Sequence, residues 1–208
     1  MLPQESATVG ELRGAARSMA ATLADAGVEP GDRVIVALPN SVRFVAALLA
    51  VRLCGAVFVN APWQWRRELV AVAEETQARR VLLPPEVSGD SGLQALQPRL
   101  LTVEPSPGRR ADGAPVARHA DDDAWIAYSS GTTGAPKGAV HTERTLALIP
   151  EGFIERYGLG PADPILVAAG AGHAIGFIYG VQLALRTRAP MVLLPRWDAA
   201  QAAYMARR

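Results

Sequence analysis

Short apolar runs alternate with segments of helical periodicity along most of the chain, and this alternation constrains the fold more than any other feature. The run Val34–Leu38 is stopped by Pro39, and Ser41 can then cap a helix that ends before Gly55. Further strands are predicted over residues 56–59, 81–83, 100–103, 124–128, 165–168 and 191–194, and further helices over 8–27, 68–76, from 142 onward and over 175–185. Strands that are apolar on both faces and separated by helices predict an α/β fold, with mostly parallel sheets covered by helices on both faces.

Composition places the chain among globular proteins and excludes several functions. Half of its 208 residues are hydrophobic and a fifth are charged, unlike the composition of disordered chains. The 21 basic and 20 acidic residues leave a net charge of +1, and the basic residues are scattered, so we expect no nucleic-acid partner. Cys54 is the single cysteine, which excludes a disulfide framework and a thiolate metal site within the chain. The first residues lack the pattern of a secretory signal, so we expect a cytoplasmic protein.

The stretch 86–118 departs from the alternation, because it is rich in Pro, Gly, Ser and Asp. Composition leaves open whether it is a surface excursion of one domain or a linker between two. We therefore divide the chain into a first α/β half over 1–85, an irregular excursion over 86–120 and a second α/β segment over 121–208.

A membrane helix is the competing interpretation of Ile165–Leu185. The segment is long enough to cross a bilayer, and three glycines stand at the spacing of packed membrane helices: Gly172, Gly176 and Gly180. It also contains His173 and Gln182, which would be costly in lipid. A buried strand, a loop and a helix explain the same residues at less polar cost, so we expect no membrane span.

The stretch YSSGTTGAPKGAVH, residues 128–141, follows a predicted buried strand and precedes a predicted helix, so we expect it to join strand to helix. Its candidate ligand-binding residues are Ser129, Ser130, Gly131, Thr132, Thr133, Gly134 and Lys137. Glycines let backbone N–H groups turn inward, while hydroxyls and a lysine supply further donors, and phosphate is the ligand that suits these groups. The spacing is neither that of the Walker loop nor G-x-G-x-x-G. The alternative is a solvent-exposed Ser/Thr/Gly turn.

Residues Tyr128–Gly138 resemble the signature of the adenylate-forming enzymes, whose pattern [YF]-[TS]-S-G-T-T-G-x-P-K-G they match throughout. This family includes acyl-CoA synthetases, aryl-CoA ligases, luciferases and the adenylation domains of peptide synthetases. Residues 27–60 are similar to the family's N-terminal pattern of G-x-x-P-G-D-R-V followed by P-N-S and G-A-V. Residues 172–180, GHAIGFIYG, fall where the family has a histidine followed by apolar residues at its acyl pocket, in a form closer to the carboxylate-CoA ligases.

The resemblance implies a two-step reaction that uses ATP, Mg²⁺ and coenzyme A to convert a small carboxylate into its acyl-CoA. The seven loop residues would hold the β- and γ-phosphates of ATP, and His173 and Phe177 would border the acyl pocket. Trp63, Trp65 and Tyr179 are further candidate pocket walls, although packing is the commoner role of aromatic side chains. Aromatic or alicyclic acids are favoured over long-chain fatty acids. No catalytic residue and no protein ligand of a metal is assigned.

The resemblance also implies that family elements are missing from these 208 residues. The family pattern continues through segments that bind adenine, metal and ribose and ends in a small domain with a catalytic lysine. We therefore expect the N-terminal portion of an acyl-CoA synthetase, inactive by itself. A non-catalytic nucleotide-binding or partner-pairing module is the alternative. Apolar surface that later segments would cover leads us to expect self-association or pairing with another chain.

Overall fold

Six strands form the main sheet in the computed structural model, which describes residues 5–102, 115–129 and 136–206. In chain order they are β1 (Arg33–Val36), β2 (Val57–Asn60), β3 (Arg80–Leu82), β4 (Leu100–Leu101), β5 (Asp123–Ser129) and β6 (Lys137–Thr142). Their spatial order is β4-β3-β1-β2-β5-β6, and all neighbours run parallel except β5 and β6. A second, parallel sheet pairs β7 (Ile165–Val167) with β8 (Met191–Leu193). The mostly parallel α/β fold is confirmed.

Several of the helices begin directly after a capping side chain. Thr8 caps the helix Val9–Asp25 in a capping box with Glu11, and Ser41 and Thr142 cap the helices Val42–Leu53 and Glu143–Tyr157. The α-helices are α1 (Val9–Asp25), α2 (Val42–Leu53), α3 (Arg67–Glu75), α4 (Glu143–Tyr157), α5 (Ala174–Gly176), α6 (Leu183–Thr187) and α7 (Ala199–Met205). A π-helix, Phe177–Gln182, separates α5 from α6, and two 3₁₀-helices cover Pro85–Val87 and Ser91–Arg99.

The main sheet has a hydrophobic core on each face. The first core contains residues of α1, α2 and the π-helix, with Phe44, Phe58 and Trp125 among its largest side chains. The second core packs α3 and the 3₁₀-helix Ser91–Arg99 against the other face. Successive residues of β1 alternate between the cores, as the two-residue period of a strand requires. Because each fully buried large side chain contributes ~1.5–3 kcal/mol, the two cores provide most of the stabilisation of the sheet.

The start of the irregular stretch 86–118 packs on the main sheet. Leu93 and Leu96 of its 3₁₀-helix are buried in the second core, and β4 adds a parallel strand beside β3. Residues 103–114 lie outside the described ranges.

Arg118 fastens the chain where it returns to the main sheet. Its guanidinium donates to the Gly55 carbonyl oxygen at 2.5 Å and to the Asp123 carbonyl oxygen. Its Nε lies 2.6 Å from Glu143 Oε1, and the other oxygen of that carboxylate accepts from Arg52 at 2.6 Å. Arg118 therefore connects the residues before β2, the first residue of β5 and the first residue of α4.

The polar stretch after β5 leads into a strand and not directly into a helix, so our prediction of a strand-to-helix connection was wrong. Ser129 pairs with Lys137 and Asp123 pairs with Thr142, which makes β5 and β6 an antiparallel hairpin. Because six residues of strand span about 20 Å, α4 begins at the end of the hairpin away from the polar stretch. The positive end of the α4 dipole therefore does not face a ligand there.

The segment 165–185 is divided among β7, a turn and the broken helix formed by α5, the π-helix and α6. Across the ranges that the structure describes, no helix is both long enough and apolar enough to span a bilayer.

Candidate functional site: a hairpin loop and a buried turn

The two ends of the β5–β6 hairpin loop are formed by Ser129 and Lys137, which face each other across the strands. Both residues are exposed. The other five predicted loop residues, Ser130, Gly131, Thr132, Thr133 and Gly134, lie outside the described ranges. The structure thus gives the two ends of the loop, and the roles of all seven residues stay predictions.

Lys137 is the only lysine in the chain, since the other 20 of the 21 basic residues are arginines. It lies at the start of β6, the edge strand that follows the loop. A lysine is a compact point charge with a flexible stem, whereas an arginine is a planar fork. An amine-directed chemical probe therefore has one side-chain target in this protein, and that target lies at the loop.

Tyr128 and Gly138 fix the base of the loop. The Tyr128 side chain is buried, and its hydroxyl donates to Glu75 Oε2 at 2.9 Å. A Cβ added to Gly138 would lie 2.8 Å from Cζ of the Tyr128 ring, so the ring occupies the space above this glycine. Burial, and then the hydrogen bond to Glu75, raise the pKa of Tyr128 above its ordinary value. The protonated phenol therefore ties β5 to α3 beside the loop.

The raised pKa of Tyr128 predicts a loss of stability in alkali. A group whose pKa is higher in the folded state contributes stability below its unfolded pKa, about 10, and loses that contribution as the pH rises toward its folded pKa. We expect the free energy of unfolding of the wild type to fall more between pH 9 and pH 11 than that of Tyr128→Phe. Urea unfolding at the two pH values measures the difference. Tyr157→Phe, at a largely exposed position, is the control, and equal falls in all three proteins would contradict the prediction.

Trp125 of β5 lies between two other rings. The His141 imidazole stacks on its indole with centroids 4.5 Å apart, and Phe177 packs against it at 4.7 Å. Phe177 also stacks on Phe58 at 5.0 Å and is completely buried. Partial burial lowers the pKa of His141. The Phe177 ring is therefore enclosed by aromatic neighbours of the first core.

The predicted acyl-pocket residues are placed in different surroundings. His173 is exposed, immediately before α5, four residues from the buried Phe177. Trp63 and Trp65 are partly buried and pack against the second core, on the other face of the main sheet from Phe177. Tyr179 is half-exposed and packs on Phe153 with ring centroids 4.7 Å apart. The structure does not bring these side chains to one place, and the acyl-pocket roles of His173 and Phe177 stay predictions.

Two buried asparagines hold the turn between β7 and α5, and our sequence reasoning missed both. Asn40 donates to the Ala169 and Leu194 carbonyl oxygens at 3.0 and 2.9 Å and accepts from the Ala171 N–H at 2.7 Å. Asn60 donates to the Ala171 carbonyl oxygen at 3.1 Å. Each asparagine follows or ends a buried strand. The signal available in the sequence for Asn60 was a polar residue at the end of the strand Val57–Asn60, because a buried amide needs specific partners.

The glycines of this turn allow close backbone contact. A Cβ on Gly172 would lie 2.9 Å from the Ala61 carbonyl oxygen and 3.0 Å from Pro62 Cα. A Cβ on Gly176 would lie 2.6 Å from the Ala169 carbonyl oxygen and closer still to that of Gly170. The turn that carries His173 is therefore packed tightly against the end of β2.

The chain belongs to the family of AMP-binding enzymes, whose family model matches residues 2–207. It is 30% identical to the 4-hydroxybenzoate–CoA/benzoate–CoA ligase of Rhodopseudomonas palustris over 97% of the chain and 40% of that ligase. It is 33% identical to the nonribosomal peptide synthetase CymA of Salinispora arenicola over 76% of the chain and 2% of CymA. ATP-bound MatB of Rhodopseudomonas palustris has the same fold, with a TM-score of 0.87, 24% identity and coverage of 100% of this chain and 44% of MatB. The chain thus spans less than half the length of these proteins.

Proposed function

We propose that the protein takes part in the ATP-dependent activation of a carboxylic acid to an acyl-adenylate and then to an acyl-CoA. The observation that carries the proposal is the complete match of Tyr128–Gly138 to the family signature, at a hairpin loop that ends in the single lysine of the chain. In the first step a carboxylate oxygen bonds to the α-phosphorus of ATP, and the bond from that phosphorus to the pyrophosphate oxygen breaks. In the second step the sulfur of coenzyme A bonds to the acyl carbon and AMP leaves.

The loop residues would act on the β- and γ-phosphates. Hydroxyl groups, backbone N–H groups and the Lys137 ammonium are all donors, and donors of this kind stabilise the charge that builds on departing pyrophosphate. Among the described residues, no group of three or more His, Cys, Asp or Glu side chains could hold a metal ion. Phosphate oxygens of ATP would supply ligands of Mg²⁺, as is usual for this ion in nucleotide sites.

We propose that the carboxylic acid substrate is aromatic or alicyclic. His173 is exposed at the surface of a tightly packed turn, and the 4-hydroxybenzoate–CoA/benzoate–CoA ligase is among the relatives. The groups for adenine, ribose and catalysis of adenylation would come from elements outside these 208 residues, so the isolated chain would not turn over. We also propose a cytoplasmic location, because a chain with one cysteine and no disulfide suits a reducing compartment.

A groove of about 1620 Å³ favours a second candidate, a module that pairs with another polypeptide. Apolar side chains of α1, α2 and β8 line much of the groove, including Leu12, Val45 and Leu193. Large apolar surfaces on soluble proteins usually mark an interaction site. If a second copy of the chain is the pairing partner, sedimentation velocity should show self-association of the purified chain at micromolar concentrations, and a stable monomer would argue against this form of the second candidate.

The single lysine provides a direct test of the phosphate loop. We expect Mg-pyrophosphate to slow the acetylation of Lys137 by an amine-reactive ester, because bound phosphate oxygens cover the ammonium. Mass spectrometry of the labelled peptide gives the rate, and the α-amine of Met1 in the same sample is the internal control. An unprotected Lys137 at millimolar Mg-pyrophosphate would contradict the proposal.

Calorimetry with Lys137→Ala gives the size of the effect. A hydrogen bond to a charged group contributes ~1.5–3 kcal/mol, so the variant should bind Mg-pyrophosphate about 10- to 100-fold more weakly. Lys137→Arg keeps the positive charge and should lose less of the affinity for Mg-pyrophosphate. Arg186→Ala, which removes a cation paired with Glu151 on α4, is the control for net charge. Equal weakening by Lys137→Ala and Arg186→Ala would indicate non-specific attraction only.

A further inference from the structure

The peptide groups on both sides of Ala171 are held by side-chain amides. The Ala171 N–H donates to Asn40, and the Ala171 carbonyl oxygen accepts from Asn60. Ala171 and both asparagines are buried, with exposures of 1%, 3% and 1%. A buried backbone that lies outside helices and sheets needs such partners, because an unpaired N–H or carbonyl group is costly. The two amides therefore replace the hydrogen bonds of a strand at this point.

Asn60 also bonds to Trp125 of the main sheet, a contact that Asn40 does not make. Its Oδ1 accepts from the Trp125 indole Nε1–H at 2.6 Å, while its Nδ2 donates to Ala171. Trp125 lies in β5, four residues before Ser129, at which the hairpin loop begins. One amide group thus joins the strand that leads into the loop to the turn that leads into His173.

The polarity of the amide matters for this connection. The indole Nε1–H can only donate and the Ala171 carbonyl can only accept, so the residue between them must do both. An aliphatic side chain would leave both groups unpaired, and a hydroxyl group is too short to replace both amide atoms. The Ala61 backbone, which lies close to Gly172, also limits movement of the turn toward Ala61.

We propose that Asn60 is a positioning residue that sets the place of the Ala169–His173 turn relative to the strand carrying the phosphate loop. In terms of the proposed function, on which this inference rests, Asn60 holds the acyl side of the site in register with the phosphate side. It acts through Trp125 and Ala171 and does not contact a substrate itself.

The test compares two substitutions that remove a buried polar group and keep the number and branching of the side-chain heavy atoms. Asn60→Leu deletes both bonds of the amide. Thr187→Val deletes the buried hydroxyl that bonds to the Leu183 carbonyl oxygen at 2.9 Å in α6. Both should lower the melting temperature, so a loss of stability alone cannot explain a difference between them.

Two NMR signals report the connection, and neither needs a nucleotide. In Asn60→Leu we expect the Trp125 indole N–H to exchange with solvent about tenfold faster than the change in global stability explains, and the His173 ring signal to move. In Thr187→Val both signals should keep their wild-type values. If Asn60→Leu lowers stability while both signals stay unchanged, or if Thr187→Val moves them equally, the inference is overturned.

A second variant keeps the test decisive if Asn60→Leu does not fold. Asn60→Asp retains an acceptor for Trp125 and turns an oxygen toward the Ala171 carbonyl. We expect it to move the His173 signal and to preserve the protection of the Trp125 indole, and an unmoved His173 signal would overturn the inference. Because the phosphate loop is tested separately by labelling of Lys137, failure of the proposed function and failure of this inference give different results.

Discussion

Gly176→Ala is expected to lower the melting temperature of the chain by about 10 °C, which corresponds to ~3 kcal/mol for a protein of this size. The new methyl group would lie 2.6 Å from the Ala169 carbonyl oxygen and closer to that of Gly170. These are backbone atoms, and Asn40 holds Ala169 and Ala171 in place by hydrogen bonds. The collision therefore cannot be relieved by rotation of a side chain, and either the turn or the helix must move.

Thermal unfolding followed by circular dichroism measures this effect, and Gly152→Ala is its matched control. Gly152 lies within α4 and has no atom within 4 Å of the position where a Cβ would be added. There the same substitution should raise stability by about 0.5–1 kcal/mol, because alanine favours the helix. A loss of stability in Gly152→Ala as large as that in Gly176→Ala would show that the packing of the turn is not responsible.

Asn40→Leu is expected to cost roughly 3 kcal/mol or more. The substitution leaves the Ala171 N–H and the carbonyl oxygens of Ala169 and Leu194 without their amide partner, and each buried unpaired group costs ~1–3 kcal/mol. Because Leu194 follows β8 and Ala169 follows β7, the second sheet should loosen from the main sheet. The free energy of unfolding in urea gives the total cost.

Ser41→Ala is the control for Asn40→Leu, since it alters the neighbouring residue. Ser41 accepts from the Phe44 N–H as the cap of α2, and loss of a cap of this kind costs ~1 kcal/mol. A similar cost for the two variants would contradict the special role of the Asn40 amide. Hydrogen exchange of the β7 and β8 amides should increase only in Asn40→Leu.

Local patterns predicted most helices and strands, because the relevant signals lie close together in the sequence. Ser41 and the apolar residues after it predicted the observed bounds of α2. Pro39, which was predicted to stop the first strand, lies soon after the end of β1. Strand β6 could not be predicted in this way. Its residues from Lys137 to Val140 are exposed, and the strand exists because its backbone pairs with β5. Cross-strand pairing of a polar edge strand leaves little hydrophobic pattern.

The helix predicted over 175–185 illustrates a second limit. The apolar composition of the segment was read correctly as helical, but its division by a π-helix was not predicted. Tight packing surrounds this division: Gly176 lies against the turn, and a Cβ on Gly180 would lie 2.7 Å from Val167 Cγ1. Constraints of this kind arise from packing and carry no local signature.

The candidate site shows the same division between local and distant information. The hydroxyls, glycines and lysine of residues 129–137 suggested phosphate from their chemistry alone. The enclosure of Phe177 by Phe58 and Trp125 and the partners of Asn40 and Asn60 depend on residues more than 50 positions away. An asparagine after a strand is normally a sign of a turn, so its use as a buried connector required the three-dimensional structure.

The anchoring of Arg118 has a practical meaning for protein engineering. This side chain hydrogen-bonds to Gly55 before β2 and to Asp123 of β5 and forms an ion pair with Glu143 of α4, so it holds the start of β5 on the main sheet after the connection from β4. Each doubling of the length of a connection adds only about 0.6 kcal/mol of closure entropy. An epitope tag or a small reporter domain spliced between Thr102 and Pro115 should therefore leave the hairpin and its lysine in place, whereas the same insertion after Arg118 would separate the anchor from the strand that it holds.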